Sequence, residues 1–227
     1  MREIIFDTET TGLDPANGDR LVEMGCVEMV NRVPTGNTFH AYYNPQRSMP
    51  AEAEAVHGLS ESFLSDKPLF RDRAQELLDF IGDAPLVAHN ASFDFGFLNA
   101  ELTAAGLAIV ELDRMIDTLS LARRRHPGAK HSLDALCTRY GIDRSHRTKH
   151  GALLDAELLA QVYVELTGGR QIGLELAAES NVTVVEFKQV IRRERVFREP
   201  RPHRASDEEL ARHEAFLESL DSPLWKN

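Results

Sequence analysis

One stretch, Glu3-Ile4-Ile5-Phe6-Asp7-Thr8-Glu9-Thr10-Thr11-Gly12, constrains this chain more than any other. Ile4, Ile5 and Phe6 form an apolar, β-favouring run that reads as a core strand. Side chains alternate along a strand, so Asp7 and Glu9 share a face. Thr10, Thr11 and Gly12 then form a turn. Two carboxylates side by side in a core strand repel each other and are costly to desolvate. A divalent cation relieves both problems, and hard oxygen ligands suit magnesium or manganese. Taken singly, the pair is explained as well by strand-end acids held by arginines. Further ligands and a base elsewhere in the chain would separate the two readings.

With 227 residues, the chain accommodates one sizeable domain with extra material, or two small domains. There is no run of eighteen apolar residues and no basic-then-apolar leader, so a cytoplasmic protein away from membranes is expected. Cys26 and Cys137 lack motif spacing and read as reduced core thiols rather than a disulfide or zinc pair. A net charge of −10 argues against a sequence-reading duplex binder. It is compatible with a nuclease that grips a few nucleotides near one end.

Residues 20–29 and 38–43 read as two more strands, in an antiparallel meander joined by a link over 31–37 that holds Pro34 and Gly36. Helices are expected over 52–56, over 70–81 from the spacing of Ala74, Leu77, Leu78 and Ile81, from 92 to about 105, and over 118–125. Short strands are expected at 85–88 and 114–116. Two more helices follow, at 132–140 and at 151–166, the latter with Leu154, Leu158, Val162 and Leu166 inward. Between them, 143–149 is a polar, basic loop, and Gly168-Gly169 ends the domain. Residues 188–204 hold seven basic and two acidic residues with two prolines, the pattern of an extended, weakly structured arm. An amphipathic helix over 207–220 follows, capped by Ser206 or Asp207, and then Leu224 and Trp225.

Three features can complete the acidic pair. Asp94 falls in the first turn of a helix that follows a core strand. Asp155 lies on the inward side of the late helix, and His150 precedes it by five residues. A five-residue offset does not share a helix face, so His150 belongs to the loop and approaches from another side. Four carboxylates and one mobile histidine fit a phosphodiesterase with two metal ions roughly 4 Å apart. In that arrangement Asp7 bridges the ions, Glu9 and Asp155 favour the nucleophile's ion, and Asp94 favours the other. His150 takes the proton of water, because an imidazole titrates near neutral pH. His89 reads as structural, orienting its turn; Asn90 either bonds near the substrate or caps the helix. Phe93, Phe95 and Phe97 read as core.

The motifs Asp7-Thr8-Glu9-Thr10-Thr11-Gly12-Leu13, His89-Asn90-Ala91-Ser92-Phe93-Asp94 and His150-Gly151-Ala152-Leu153-Leu154-Asp155 resemble those of the DEDDh 3′→5′ exonucleases. The resemblance covers about residues 1–168. It implies an α/β, ribonuclease H-like exonuclease fold: a mixed central sheet flanked by helices, two divalent ions (Mg2+ or Mn2+), and here a flexible C-terminal tail. In the branch whose base is tyrosine, that residue stands four before the last aspartate; here the position is Gly151, which fits the histidine branch. Within the family the chain resembles the proofreading (epsilon) subunits of bacterial DNA polymerase III. That similarity implies removal of mismatched nucleotides from the single-stranded 3′ end of a primer. It also implies substrate contacts from His57, in Val56-His57-Gly58-Leu59, and from Glu52 five residues earlier, with Glu54 an equally acidic neighbour. Residues 169–205 are then a linker. Its segment 171–176 resembles a sliding-clamp motif, with Gln171 at the rim and Leu174 and Leu176 in an apolar pocket. Residues 206–227 resemble a segment that holds the polymerase alpha subunit, with Leu224 and Trp225 as anchors. Two other functions fit the motifs less fully. One is a DEDDh nuclease for RNA ends or oligonucleotides, which needs no tether. The other is a scaffold between clamp and polymerase with a vestigial site, which needs none of the five catalytic side chains.

Overall fold

A computed structural model describes residues 1–145, 149–169 and 204–220. The chain divides into two units, Met1–Ala177 and Ala178–Asn227. The first is built on a five-stranded mixed sheet in the order β3-β2-β1-β4-β5. Its strands are β1 (Arg2–Thr10), β2 (Leu21–Val30), β3 (Val33–Tyr42), β4 (Leu86–Ala88) and β5 (Met115–Asp117). The first three form an antiparallel meander, and β4 and β5 join β1 in parallel.

The meander is tighter than the sequence suggests, because β3 starts at Val33 and not at Thr38. Asn31 and Arg32 both take positive φ (52° and 66°), so two residues make the turn and Val30 pairs with Val33. Pro34 is accommodated because β3 is an edge strand, where a missing N–H costs no ladder bond.

Alternation along β1 sends Ile4 and Phe6 to one face and Ile5 to the other. On the first face lie α3 (Phe70–Ile81) and α4 (Ser92–Ala104), with Ala74, Leu77, Phe95, Phe97 and Leu98 in the core. Phe93 is only half-buried. On the second face lies α7 (Ala152–Leu166), through Ala156, Leu159, Ala160 and Tyr163. A second side of α7, Leu158, Val162 and Leu166, packs with α5 (Thr118–Arg125) and α6 (Leu133–Tyr140). Buried on two sides, α7 has no single inward stripe, and Leu154 is only half-buried at its first turn. Both cysteines are buried, and neither is in a disulfide. Two short helices, α1 (Ala51–His57) and α2 (Glu61–Leu64), follow β3; the second was not legible in the sequence, being a single turn capped by Ser60.

The second unit contributes α8 (Asp207–Glu218). Ser206 caps it: its hydroxyl accepts from the Glu209 N–H, and Glu209 accepts in return from the Ser206 N–H. The linker segment 171–176 and the pair Leu224 and Trp225 lie outside the described residues.

Candidate active site

Only Ile4 and Ile5 of β1 pair with β4, so the rest of β1 has a ladder on the β2 side and an open edge toward β4. The acidic residues stand at this open end, beyond the carboxyl ends of the parallel strands, where α/β sheets place ligands. Glu9 comes from the α7 face of β1. Asp155, in the first turn of α7, is buried below it. His150 lies in the loop before α7, half-exposed, with Nδ1 3.2 Å from Asp155 Oδ2. The ligand atoms of Glu9, His150 and Asp155 all lie within 4.8 Å of one another. Two oxygens and one nitrogen at that spacing fit a divalent cation of the Mg2+/Mn2+ class. The same two side chains also fit an oriented base: with Nδ1–H donated to Asp155, Nε2 is left as the acceptor.

Asp94 reaches the site from the opposite face. It is buried in the first turn of α4, and Thr8 donates to its Oδ1 at 2.7 Å. Thr8 is the β1 residue between Asp7 and Glu9, so one strand aims its acids at α7 and its hydroxyl at α4. Burial pushes the Asp94 carboxyl up to about 7, against the Thr8 bond that favours its charged form. Asp7 is half-buried on β1, opposite Gly25 of β2. The structure thus brings Glu9, His150 and Asp155 into one cluster, ties Asp94 to the strand through Thr8, and leaves Asp7 on the same strand next to Thr8.

The turn that carries Asp94 is held from β5. Asp117 Oδ1 accepts from the Asn90 and Ala91 N–H groups (3.0 and 3.3 Å) while also capping α5 through Leu119 and Ser120. Asn90 has φ 66° and is exposed; the N-cap of α4 is Ala91, so the Asn90 side chain does not cap the helix. His89, expected to orient its turn, bonds to Thr118 at the start of α5. The single Thr118 hydroxyl proton goes to Ala88 O (3.1 Å), so the His89 ring donates from Nδ1 to Thr118 Oγ1 (2.9 Å).

Beside the cluster is a cavity of about 370 Å³, lined by Glu9, Leu13, Glu52, Val56, His57 and Phe93 among others. Glu52 and His57 share this lining, and Glu54 lies near enough to His57 for its charge to raise the ring's pKa. His57 is buried, and its Nδ1 accepts from the Leu59 N–H (3.0 Å), so Nε2 carries the proton. That Nε2 makes no well-formed hydrogen bond. Burial lowers the His57 pKa more than Glu23 and the Thr10 carbonyl raise it, so the ring is neutral near pH 7.

Two neighbours had no signal in the sequence. Glu23 of β2 is buried directly opposite Glu9 and pairs with His40 Nε2 (2.7 Å). Gly25, also on β2, lies under the start of α7: a Cβ there would fall 2.2 Å from Leu153 N and 2.4 Å from Ala152 C. Only cross-strand register brings either residue to the site.

Comparison with known proteins agrees with this geometry. The exonuclease family model RNase_T matches residues 4–163. The DNA polymerase III subunit epsilon of Rickettsia felis is 48% identical over 227 aligned residues, 97% of each chain. That of Escherichia coli K12 is 43% identical over 239 aligned residues, 99% of this chain and 97% of the relative. Among solved structures, exonuclease X in complex with 5′ overhanging duplex DNA superposes with a TM-score of 0.55 at 27% identity, covering 73% of this chain and 90% of that one. The nuclease domain of 3′hExo, a DEDDh family member bound to rAMP, superposes with a TM-score of 0.64 over 73% of this chain and 91% of that one; at 17% identity it speaks to the fold alone.

Proposed function

The chain belongs to the RNase_T exonuclease family and, within it, to the DNA polymerase III epsilon subunits, and on that premise we propose that it is the 3′→5′ exonuclease that removes mismatched 3′-terminal nucleotides for the replicative polymerase. The observation that carries the reading is the convergence of Glu9, Asp155 and His150 within 4.8 Å at the open end of β1. The fold implies divalent metal ions. Two of them, magnesium or manganese, would be held by Asp7, Glu9, Asp94 and Asp155. When bound, such ions neutralise the clustered carboxylates, acidify water and stabilise charge on a phosphodiester.

The chain's own residues supply the rest. Asp155 fixes the imidazole of His150 through Nδ1, and Nε2 takes the proton of the attacking water. His57 and Glu52 hold the terminal nucleotide in the cavity of about 370 Å³, a size suited to one small ligand. His57 enters as a neutral donor from Nε2, since its Nδ1 is already engaged. A frayed mismatched end reaches this pocket at less melting cost than a paired end, so selection needs no base reading.

Membership in the epsilon subunits places the chain in the polymerase III complex with a DNA substrate, and this role requires a cytoplasmic setting. No helix among the described residues is long and apolar enough to cross a membrane. We assign residues 206–227 to the polymerase alpha subunit, with Leu224 and Trp225 as anchors, and residues 171–176 to the sliding clamp through Gln171, Leu174 and Leu176. Tethering of this kind raises the local concentration of the nuclease at the primer end.

The test is a primer-extension assay with a mismatched 3′ terminus, with and without the polymerase subunit. Wild-type protein releases 5′-monophosphates, faster from the mismatch than from a paired end. His150→Ala loses most of the rate and keeps its Mn2+ binding. Loss of Mn2+ binding in that variant would make His150 a ligand, and a strong preference for RNA ends would sink the proofreading role.

A further inference from the structure

Lys149 stands beside the base and has no part in the chemistry above. It lies in the loop between α6 and α7, one residue before His150, and is exposed. Its side chain folds back over Gly58: a Cβ on that glycine would lie 2.6 Å from Lys149 Cδ and 2.9 Å from Nζ. Gly58 has φ 78° and follows His57 directly, so the ammonium is laid across the end of α1. The His150 N–H to Val56 O bond (3.4 Å) joins the same two segments. Lys149 lines a groove of about 580 Å³ with His150, Arg144 and Ser145. Through Gly58 it also touches the residue next in the chain to His57, which lines the neighbouring cavity with Glu52.

The charge of Lys149 is not spent on the protein. Arg144 pairs with Asp134 at 2.9 Å, whereas Lys149 has no ion pair among the described residues. Its field reaches His57, where, after burial, it helps to lower the ring's pKa. The surrounding sequence is opposite in sign to the net charge of −10: residues 123–149 hold eight Lys or Arg and two Asp. Such a local reversal of sign next to a cluster of carboxylates draws in an anion that the carboxylates alone would repel.

We propose that Lys149 is a substrate-binding residue that takes the phosphate of the 3′-terminal nucleotide, and keeps hold of it when that phosphate becomes a 5′-monophosphate. This rests on the nuclease reading above and names a side chain that the family motifs do not include. The chemistry is that of a point cation on a flexible stem meeting a phosphate oxygen.

The experiment uses the full chain with Mn2+ and two small probes: the p-nitrophenyl ester of thymidine 5′-monophosphate as substrate and thymidine 5′-monophosphate as inhibitor. Lys149→Met keeps most of the stem and removes the charge. Its KM for the ester and its Ki for the monophosphate should both rise about tenfold, as for loss of one charge-assisted contact. Half-saturation by Mn2+ and the unfolding temperature should not move. The Ki of the variant should also depend less on salt, a change that a merely structural lysine would not produce. Lys149→Arg should restore both constants to within about threefold, because the charge is kept. An unchanged Ki in Lys149→Met, or an effect confined to longer oligonucleotides, overturns the assignment. Failure of the wild-type protein to hydrolyse either the ester or a mismatched primer would instead overturn the nuclease reading itself.

Discussion

Asp94 shows what a buried carboxylate costs a fold at the scale of one residue. It is buried, and burial lifts its carboxyl to about 7, while an unfolded aspartate titrates near 3.9. The folded state therefore binds this proton more tightly than the unfolded chain does. The group leaves stability undiminished below about pH 4 and withdraws it progressively as pH rises through 7. Asp94→Asn keeps the acceptor for Thr8 and removes the charge. The metal-free variant should melt at a higher temperature than metal-free wild type at pH 8, with little difference at pH 4, and it should have no nuclease activity. Mn2+ should raise the melting temperature of wild type more at pH 8 than at pH 6, and that gain should be small in the variant. Differential scanning calorimetry across pH, with and without Mn2+, reads both effects. A variant that melts below wild type at pH 8 would show that the buried charge is already compensated within the protein.

At the scale of elements, the site depends on how closely α7 approaches the sheet. Gly25 makes this possible: it is paired with Asp7, and the backbone of Ala152 and Leu153 fills the space where its Cβ would be. Gly25→Ala must push the first turn of α7 outward, carrying Asp155 away from Glu9. Overpacking of this kind costs about 1–3 kcal/mol, while misplacing a reacting group by an ångström can cost roughly a hundredfold in rate. The expected result is a fold that persists with a lowered melting temperature and a kcat reduced far more than stability. Full kcat in Gly25→Ala would mean that α7 positions Asp155 without that contact. The strands and helices themselves were largely legible, because β1 and α3 carry their periods in the apolar residues. The start of β3 was not, since Pro34 and Gly36 look like loop residues until Asn31 and Arg32 are seen to complete the turn. The two-sided burial of α7 was hidden for a related reason: its second partner, α6, becomes a neighbour only once the chain is folded.

At the scale of the whole molecule, the nuclease machinery lies within the first unit, and α8 belongs to the second. A chain truncated after Gly169 should keep its fold and its hydrolysis of small phosphodiesters, and should lose capture of the polymerase alpha subunit in a pull-down. Retained capture would move the contact onto the nuclease unit. The sequence by itself determined which groups are on offer: two acids on one strand face, a third at a helix start, a fourth on a late helix, and a histidine just outside that helix's face. Such features follow from residue type and local period, which the chain carries without its tertiary structure. Tertiary structure alone decided which of these groups meet, that Thr8 holds Asp94 across the sheet, that Glu23 faces Glu9, and that Lys149 lies over Gly58. Those relations depend on register and on the packing of segments distant in sequence, and a one-residue slip of β2 would turn Glu23 to the opposite face with no change in composition.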